Sequence, residues 1–223
     1  MTLQEAIVAR HSVRQYLEKP IENEKITQLQ ALIDECNREG RLHIQLVINE
    51  SNAFSGGIAK YGGFSGVGNY IAMVGPKGED EKLGYYGEKI VLLAQTLGLN
   101  TCWVGLSYKK QPDKYQVLGG EALLCVIALG YGTTQGKAHP QKKGIESFCK
   151  VEGAMPEWFR KGMKAALLAP TAINQQKFEF SLANGNQVTA KTRFALTPYA
   201  KLDLGIVKCH FEIGAGKENF VWA

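Results

Sequence analysis

Two arginines flank a hydroxyl in Arg10-His11-Ser12-Val13-Arg14. Guanidinium groups present forked N–H donors that match phosphate oxygens two at a time, so this spacing suits capture of one phosphate. The same arginines would also suit a helix C-terminus, where their charge complements the dipole. A second candidate is Ala169-Pro170-Thr171-Ala172-Ile173-Asn174-Gln175-Gln176. Its small residues let a flat ligand approach the backbone, and Thr171 and Asn174 can donate and accept toward a polar ring edge. Read locally, it is equally a turn in which Pro stops a helix and Asn reverses the chain. A third stretch, Gly98-Leu99-Asn100-Thr101-Cys102-Trp103-Val104-Gly105, runs from a helix stop into an apolar strand. A fourth, Leu129-Gly130-Tyr131-Gly132, precedes Lys142-Lys143 by ten residues.

These stretches need elements to position them. Thr2 and Glu5 have capping-box spacing, and Leu3, Ala6 and Ile7 share one face, so a short helix leads into Arg10. An amphipathic helix follows Pro20, with Ile26, Leu29, Leu32, Ile33 and Cys36 inward and Gly40 as its stop. Residues 43–48 predict a buried strand, residues 56–68 a glycine-rich loop, and residues 70–74 a strand ending at Gly75-Pro76. A helix over about 82–97 is closed by Gly98. Strands follow over 101–104 and 123–129, then a loop over 130–144. Pro156 starts a helix to about Leu168, residues 177–182 alternate as a strand, and Asn184-Gly185-Asn186 signals a hairpin. The last helix spans about 201–213. Interleaved helices and strands with hairpin signals predict an α+β fold with a mixed sheet.

The helix–loop–strand unit at 24–49 recurs at 158–183, an offset of 134. Ile90-Val91…Leu97-Gly98 recurs as Ile206-Val207…Ile213-Gly214, an offset of 116. Two matches in one order point to an internal duplication: a single unit over 1–223 of two intertwined pseudo-repeats, about 1–150 and 151–223.

Composition narrows the function classes. At 45% hydrophobic and 21% charged residues the chain is an ordinary globular one, long enough to bury roughly 70% of its unfolded surface. Its longest apolar run, 122–129, falls short of the ~20 residues of a membrane helix, and the first ten residues carry no secretory signal. A cytoplasmic protein off the membrane is expected. The 26 Lys and Arg against 21 Asp and Glu form no basic tract for nucleic acid. Five scattered cysteines without a CxxC pair fit reduced, mostly buried thiols and offer neither a disulfide framework nor a zinc site.

Taken together, the four stretches resemble the nitroreductase family of FMN-dependent oxidoreductases, and most closely its single-chain, internally duplicated type. Arg10-His11-Ser12-Val13-Arg14 is similar to that family's Arg-x-Ser-x-Arg start. Residues 169–176 are similar to its Ala-Pro-Ser-Ala-x-Asn-x-Gln loop, with Thr171 in place of serine. Residues 98–105 resemble its Gly-Leu-Gly-Thr-Cys-Trp-Ile-Gly segment, and Leu129-Gly130-Tyr131 with Lys142-Lys143 its Gly-Tyr…basic close. One departure matters. The small-residue loop usually follows the second helix, but here Glu35-Cys36-Asn37-Arg38-Glu39-Gly40-Arg41 stands in that place and the loop appears in the second copy. Family members are homodimers with FMN at the subunit interface, so the resemblance implies a dimer fused and pruned, a nitroreductase-like pseudo-dimer in one chain that can be a monomer. In the second copy Gly144, Glu146 and Phe148 replace the phosphate residues, which implies one FMN site.

The resemblance assigns Arg10, Ser12 and Arg14 to the FMN phosphate and ribityl chain, with His11 using backbone atoms. Pro170, Thr171, Ala172 and Asn174 line the isoalloxazine ring, backbone around Trp103, Val104 and Gly105 approaches N5, and Lys142 or Lys143 reaches the phosphate. Cys102 is read as core and His139 as a loop residue. The implied activity is ping-pong hydride transfer from NADH or NADPH through flavin N5 to nitroaromatic, quinone or related small-molecule acceptors, with no side-chain acid or base demanded. The alternatives are a flavin-binding sensor or carrier without turnover, in which residues 56–68 cover the ring, and another flavin reaction such as dehalogenation or flavin fragmentation.

Overall fold

The computed structural model describes residues 1–140 and 143–223. Helix α1 (Leu3–Ala9) opens with the expected capping box, in which the Thr2 hydroxyl accepts from the Glu5 N–H and the Glu5 carboxylate accepts from the Thr2 N–H. Helix α2 (Asn23–Gly40) ends with Arg41 in the left-handed region. Four strands form an antiparallel sheet in the order β1-β2-β4-β3: β1 (Gln45–Val47), β2 (Asn69–Pro76), β3 (Asn100–Val104) and β4 (Glu121–Gly130). β2 is buried almost throughout, whereas β1 is a short, half-buried edge strand rather than the buried strand expected over 43–48. The glycine-rich stretch 56–68 holds a short helix, α3 (Gly57–Tyr61), that alternation patterns cannot signal in so few residues.

Helix α4 (Asp80–Thr96) links β2 to β3. A second four-stranded sheet, β5-β6-β7-β8, is the mixed one: β6 (Phe178–Ala183) and β7 (Gln187–Thr192) form the predicted hairpin, flanked in parallel by β5 (Cys149–Val151) and β8 (Val221–Trp222). Asn184 and Gly185 turn it, both at positive φ (49° and 79°). β5 and β8 are too short for periodicity to reveal. Helices α5 (Glu157–Leu168) and α6 (Ala200–Ala215) complete the order. The main core unites both halves of the chain, with Ile90 and Val91 beside Ile206, Val207 and Phe211.

Its centre is the crossing of α4 and α6. A Cβ built on Gly84 would lie 2.0 Å from the Leu202 carbonyl oxygen, and one on Gly205 would lie 1.9 Å from that of Glu81. Each glycine faces the carbonyl three residues upstream of the other, so the contact is reciprocal and pairs positions 121 apart, near the offset of 116 seen in the sequence. Backbone meets backbone there, and no side chain can yield. Gly205→Ala is therefore expected to destabilise the protein by about 3 kcal/mol, the upper range for overpacking. Urea unfolding checks this; a midpoint equal to that of the parent would refute the close crossing.

Candidate functional site

The first helix ends at Arg10, whose N–H still bonds to the Ala6 carbonyl at 2.8 Å. The chain then runs beside β3: Ser12 and Thr101 form a parallel bridge, and the Val13 N–H donates to the Thr101 carbonyl at 3.0 Å. Residues 10–14 and the end of β3 thus share one wall. The opposite wall comes from the far end of the sequence, the loop after α5 and the start of α6. Between them lies a cavity of about 590 Å³, within the usual size of small-molecule sites.

Most of the expected site residues meet here. Arg10, His11, Ser12 and Arg14 line the cavity with Trp103, Val104, Gly105, Pro170, Thr171, Ala172 and Asn174. Lys143 is exposed and stands outside it, and Lys142 lies outside the described residues. His139 also lines the cavity, and burial, with Arg10 and His139 adding to it, holds the His11 imidazole below its ordinary pKa. Cys102 is buried off the cavity, where loss of solvent pushes its thiol up, away from nucleophilic use.

A buried polar network backs the cavity wall. Glu88 is fully buried; one of its oxygens accepts from Trp103 Nε1 at 2.9 Å, and the other faces His210 Nε2 at 2.8 Å and Arg10 Nε at 3.7 Å. His210 Nδ1 lies 3.1 Å from the Ala165 carbonyl oxygen, which can only accept. Nδ1–H can donate to that carbonyl, while Nε2 shares a hydrogen bond with Glu88. Arg10 meets the same buried carboxylate at ion-pair distance, without a hydrogen bond, at the cavity wall. Arg10 is only 6% exposed, and its Nε has no hydrogen-bond partner. An arginine that lines a cavity beside a second one, Arg14, is suited to an anion.

The 171–176 loop is held in a costly shape. Ile173, Asn174 and Gln176 all have φ near +50°. Asn tolerates this region, but a β-branched Ile there is an outlier of the kind that gathers at functional sites. Hydrogen bonds fix the loop, among them the Gln176 N–H to Thr171 Oγ1 (3.0 Å), the Ala172 N–H to Asp203 Oδ1 (2.9 Å), Gln175 Nε2 to Thr197 Oγ1 (2.8 Å), and Gln176 Nε2 to the Leu167 carbonyl (2.9 Å). Across the cavity, the Tyr199 hydroxyl donates to the Gly105 carbonyl at 3.1 Å, tying α6 to the end of β3.

Glu88, Tyr199, Asp203 and His210 were not singled out by the sequence. A lone Glu on the inward face of a predicted helix was the available signal for Glu88. Asp203 and Tyr199 gave none, because nothing local ties the start of α6 to residues 30 or 90 positions away.

The model of the family described as "Putative TM nitroreductase" matches residues 2–215. Among solved structures, a "putative nitroreductase" from Thermotoga maritima is 22% identical with a TM-score of 0.67, over 98% of this chain and 85% of its own. That likeness gives the fold. An FMN-dependent nitroreductase from Clostridium difficile R20291 is 17% identical with a TM-score of 0.46, over 61% of this chain and 91% of its own. A protein from Parabacteroides distasonis called a "putative NADH dehydrogenase/NAD(P)H nitroreductase" is 20% identical with a TM-score of 0.49, over 66% of this chain and 95% of its own. No curated protein matches the chain. Since the family match runs from the first helix to the last, this chain belongs to the TM-type nitroreductase family.

Proposed function

We propose that the protein is an FMN-dependent NAD(P)H oxidoreductase that reduces nitroaromatic, quinone or related acceptors. The observation that carries this reading is the convergence of Arg10, Ser12 and Arg14 with the strained 171–174 loop and the 103–105 segment on one cavity. The residues fit the cofactor. Arg10, Ser12 and Arg14 hold its phosphate and ribityl chain, Pro170, Thr171, Ala172 and Asn174 face the ring, and the 103–105 backbone approaches its reactive edge. Bound there, the flavin supplies hydride transfer between NADH or NADPH and the acceptor in alternating half-reactions. The protein binds, orients and excludes water. Exposed Leu106, Leu168, Ile173 and Val8 surround the cavity, an apolar rim that suits a flat aromatic acceptor. Residues 56–68 contribute nothing to the cavity lining, which favours turnover over a carrier with its ring covered. Adding NADH to the yellow protein under argon tests the reading: rapid bleaching is expected, and a protein that takes up no FMN overturns it.

The site also supports a fused pseudo-dimer with one FMN per chain, active as a monomer. Both walls belong to one chain, and the reciprocal α4–α6 crossing has the form of a two-fold contact between the halves. The consequence is a failure to complement. Arg14→Ala chains mixed with Asn174→Ala chains, unfolded and reassembled at low concentration, are expected to recover no tight FMN binding, because each pocket carries one lesion. Recovery in a mixture of checked mass would show that the site forms between chains.

A further inference from the structure

Among the described residues, the cavity wall contains one carboxylate, Asp203, in the first turn of α6. It is 6% exposed and has no cationic partner: its contacts are the Ala172 N–H on Oδ1 at 2.9 Å and Gln175 Nε2 on Oδ2 at 3.3 Å. An unpaired carboxylate buried beside small residues is costly unless it does something there. Oδ1 is occupied by a strong backbone donor, and Oδ2 has only a long contact, so Oδ2 is the oxygen with room for a proton. Resting on the flavin reading above, we infer that Asp203 is a catalytic residue, the general acid that gives the acceptor its proton.

The step balances as follows. A carbonyl-type acceptor gains a hydride derived from NADH or NADPH, which is oxidised. The O–H bond at Asp203 Oδ2 breaks as a new O–H bond forms on the acceptor oxygen, and the carboxylate regains its proton from solvent. Burial pushes the Asp203 carboxyl up to about 6, against the two hydrogen bonds that pull it down, which brings it near the working range of a general acid. The titratable group that feels its charge is the Cys125 thiol of β4, and the Tyr199 phenol lines the same cavity; burial pushes both up, so they remain neutral near pH 7. The cations on the same cavity are Arg10 and Arg14, with His11 and His139 beside them.

Asp203→Asn tests this without breaking the loop. Its amide oxygen can still accept from the Ala172 N–H, and once the Gln175 amide flips, Oε1 can accept from the new NH₂ and from the Thr197 hydroxyl. A benzoquinone, which takes up protons on reduction, is compared with ferricyanide, which takes electrons alone, both with NADH and the FMN-loaded protein. Expected are FMN affinity and ferricyanide turnover within about threefold of the parent, and quinone turnover lower by about 100-fold. The parental quinone rate falls as pH rises above about 6, and the variant loses that limb.

A second readout needs no cofactor. A carboxyl raised in the folded state stabilises below its unfolded pKa of 3.8 and loses that contribution as pH rises through about 6. The variant is therefore expected to be the more stable at pH 8, and its advantage in the folding equilibrium shrinks by roughly 100-fold toward pH 4. A pH-independent difference overturns the assignment, as does a flavoprotein whose variant treats both acceptors alike. Failure of the parent to bind FMN overturns the flavin reading itself.

Discussion

Arg10→Ala is expected to weaken FMN binding about 10- to 100-fold while leaving riboflavin binding close to that of the parent. Charge-assisted hydrogen bonds contribute roughly 1.5–3 kcal/mol each, and each 1.36 kcal/mol is tenfold in affinity. Arg10 is placed to give the upper part of that range. Its side chain is buried, solvent screening is slight, and its Nε has no competing hydrogen bond. Arg14 lines the same cavity but is exposed, so Arg14→Ala belongs at the lower end. Riboflavin shares the ring and ribityl chain and lacks only the phosphate, which makes it the control for any general damage to the pocket. Fluorescence titration of both ligands decides the matter. Equal weakening would show that Arg10 shapes the cavity and does not hold a phosphate.

The second large effect belongs to the network behind that arginine. Glu88→Ala is expected to destabilise the protein by about 3–5 kcal/mol, because it leaves His210 Nε2 and the Trp103 N–H buried without their hydrogen-bond partner and the Arg10 charge without its counter-ion. For a chain of this length that corresponds to a fall in melting temperature of roughly 10 °C. Glu88→Gln is expected to cost far less. Its amide oxygen can accept from Trp103 Nε1, and its NH₂ can donate to His210 Nε2 in the tautomer that keeps Nδ1–H on the Ala165 carbonyl. Thermal and urea unfolding of the two variants tests the network. If Glu88→Ala unfolds within 1 kcal/mol of Glu88→Gln, these hydrogen bonds do not govern stability.

Legibility in the sequence followed the range of the interactions. Capping at Thr2 and Glu5, the helix stop at Gly98 and the Asn184-Gly185 hairpin depend on neighbours a few residues away, and the structure has each of them. The long helices were legible because one apolar face repeats every turn over 12 to 18 residues. The arginine motif and the small-residue loop could be recognised from their residue types alone, and both line the cavity.

Short or paired features were not legible. β5 and β8 have three and two residues and exist because a neighbouring strand accepts them, whereas β1 falls within the strand expected over 43–48 and is shorter and less buried. Cross-sheet pairing therefore had to come from the tertiary structure, as did the division of the strands into two sheets. The same holds for the chemistry around the cavity. Arg10 reads as a helix-end cation until α4 brings Glu88 behind it, and Asp203 reads as an ordinary first-turn acid until the loop after α5 folds over it. A sequence states which groups are present and how they repeat. Burial, and the removal of water that gives Arg10, Glu88 and Asp203 their distinct electrostatics, is decided only when elements distant in the chain pack together.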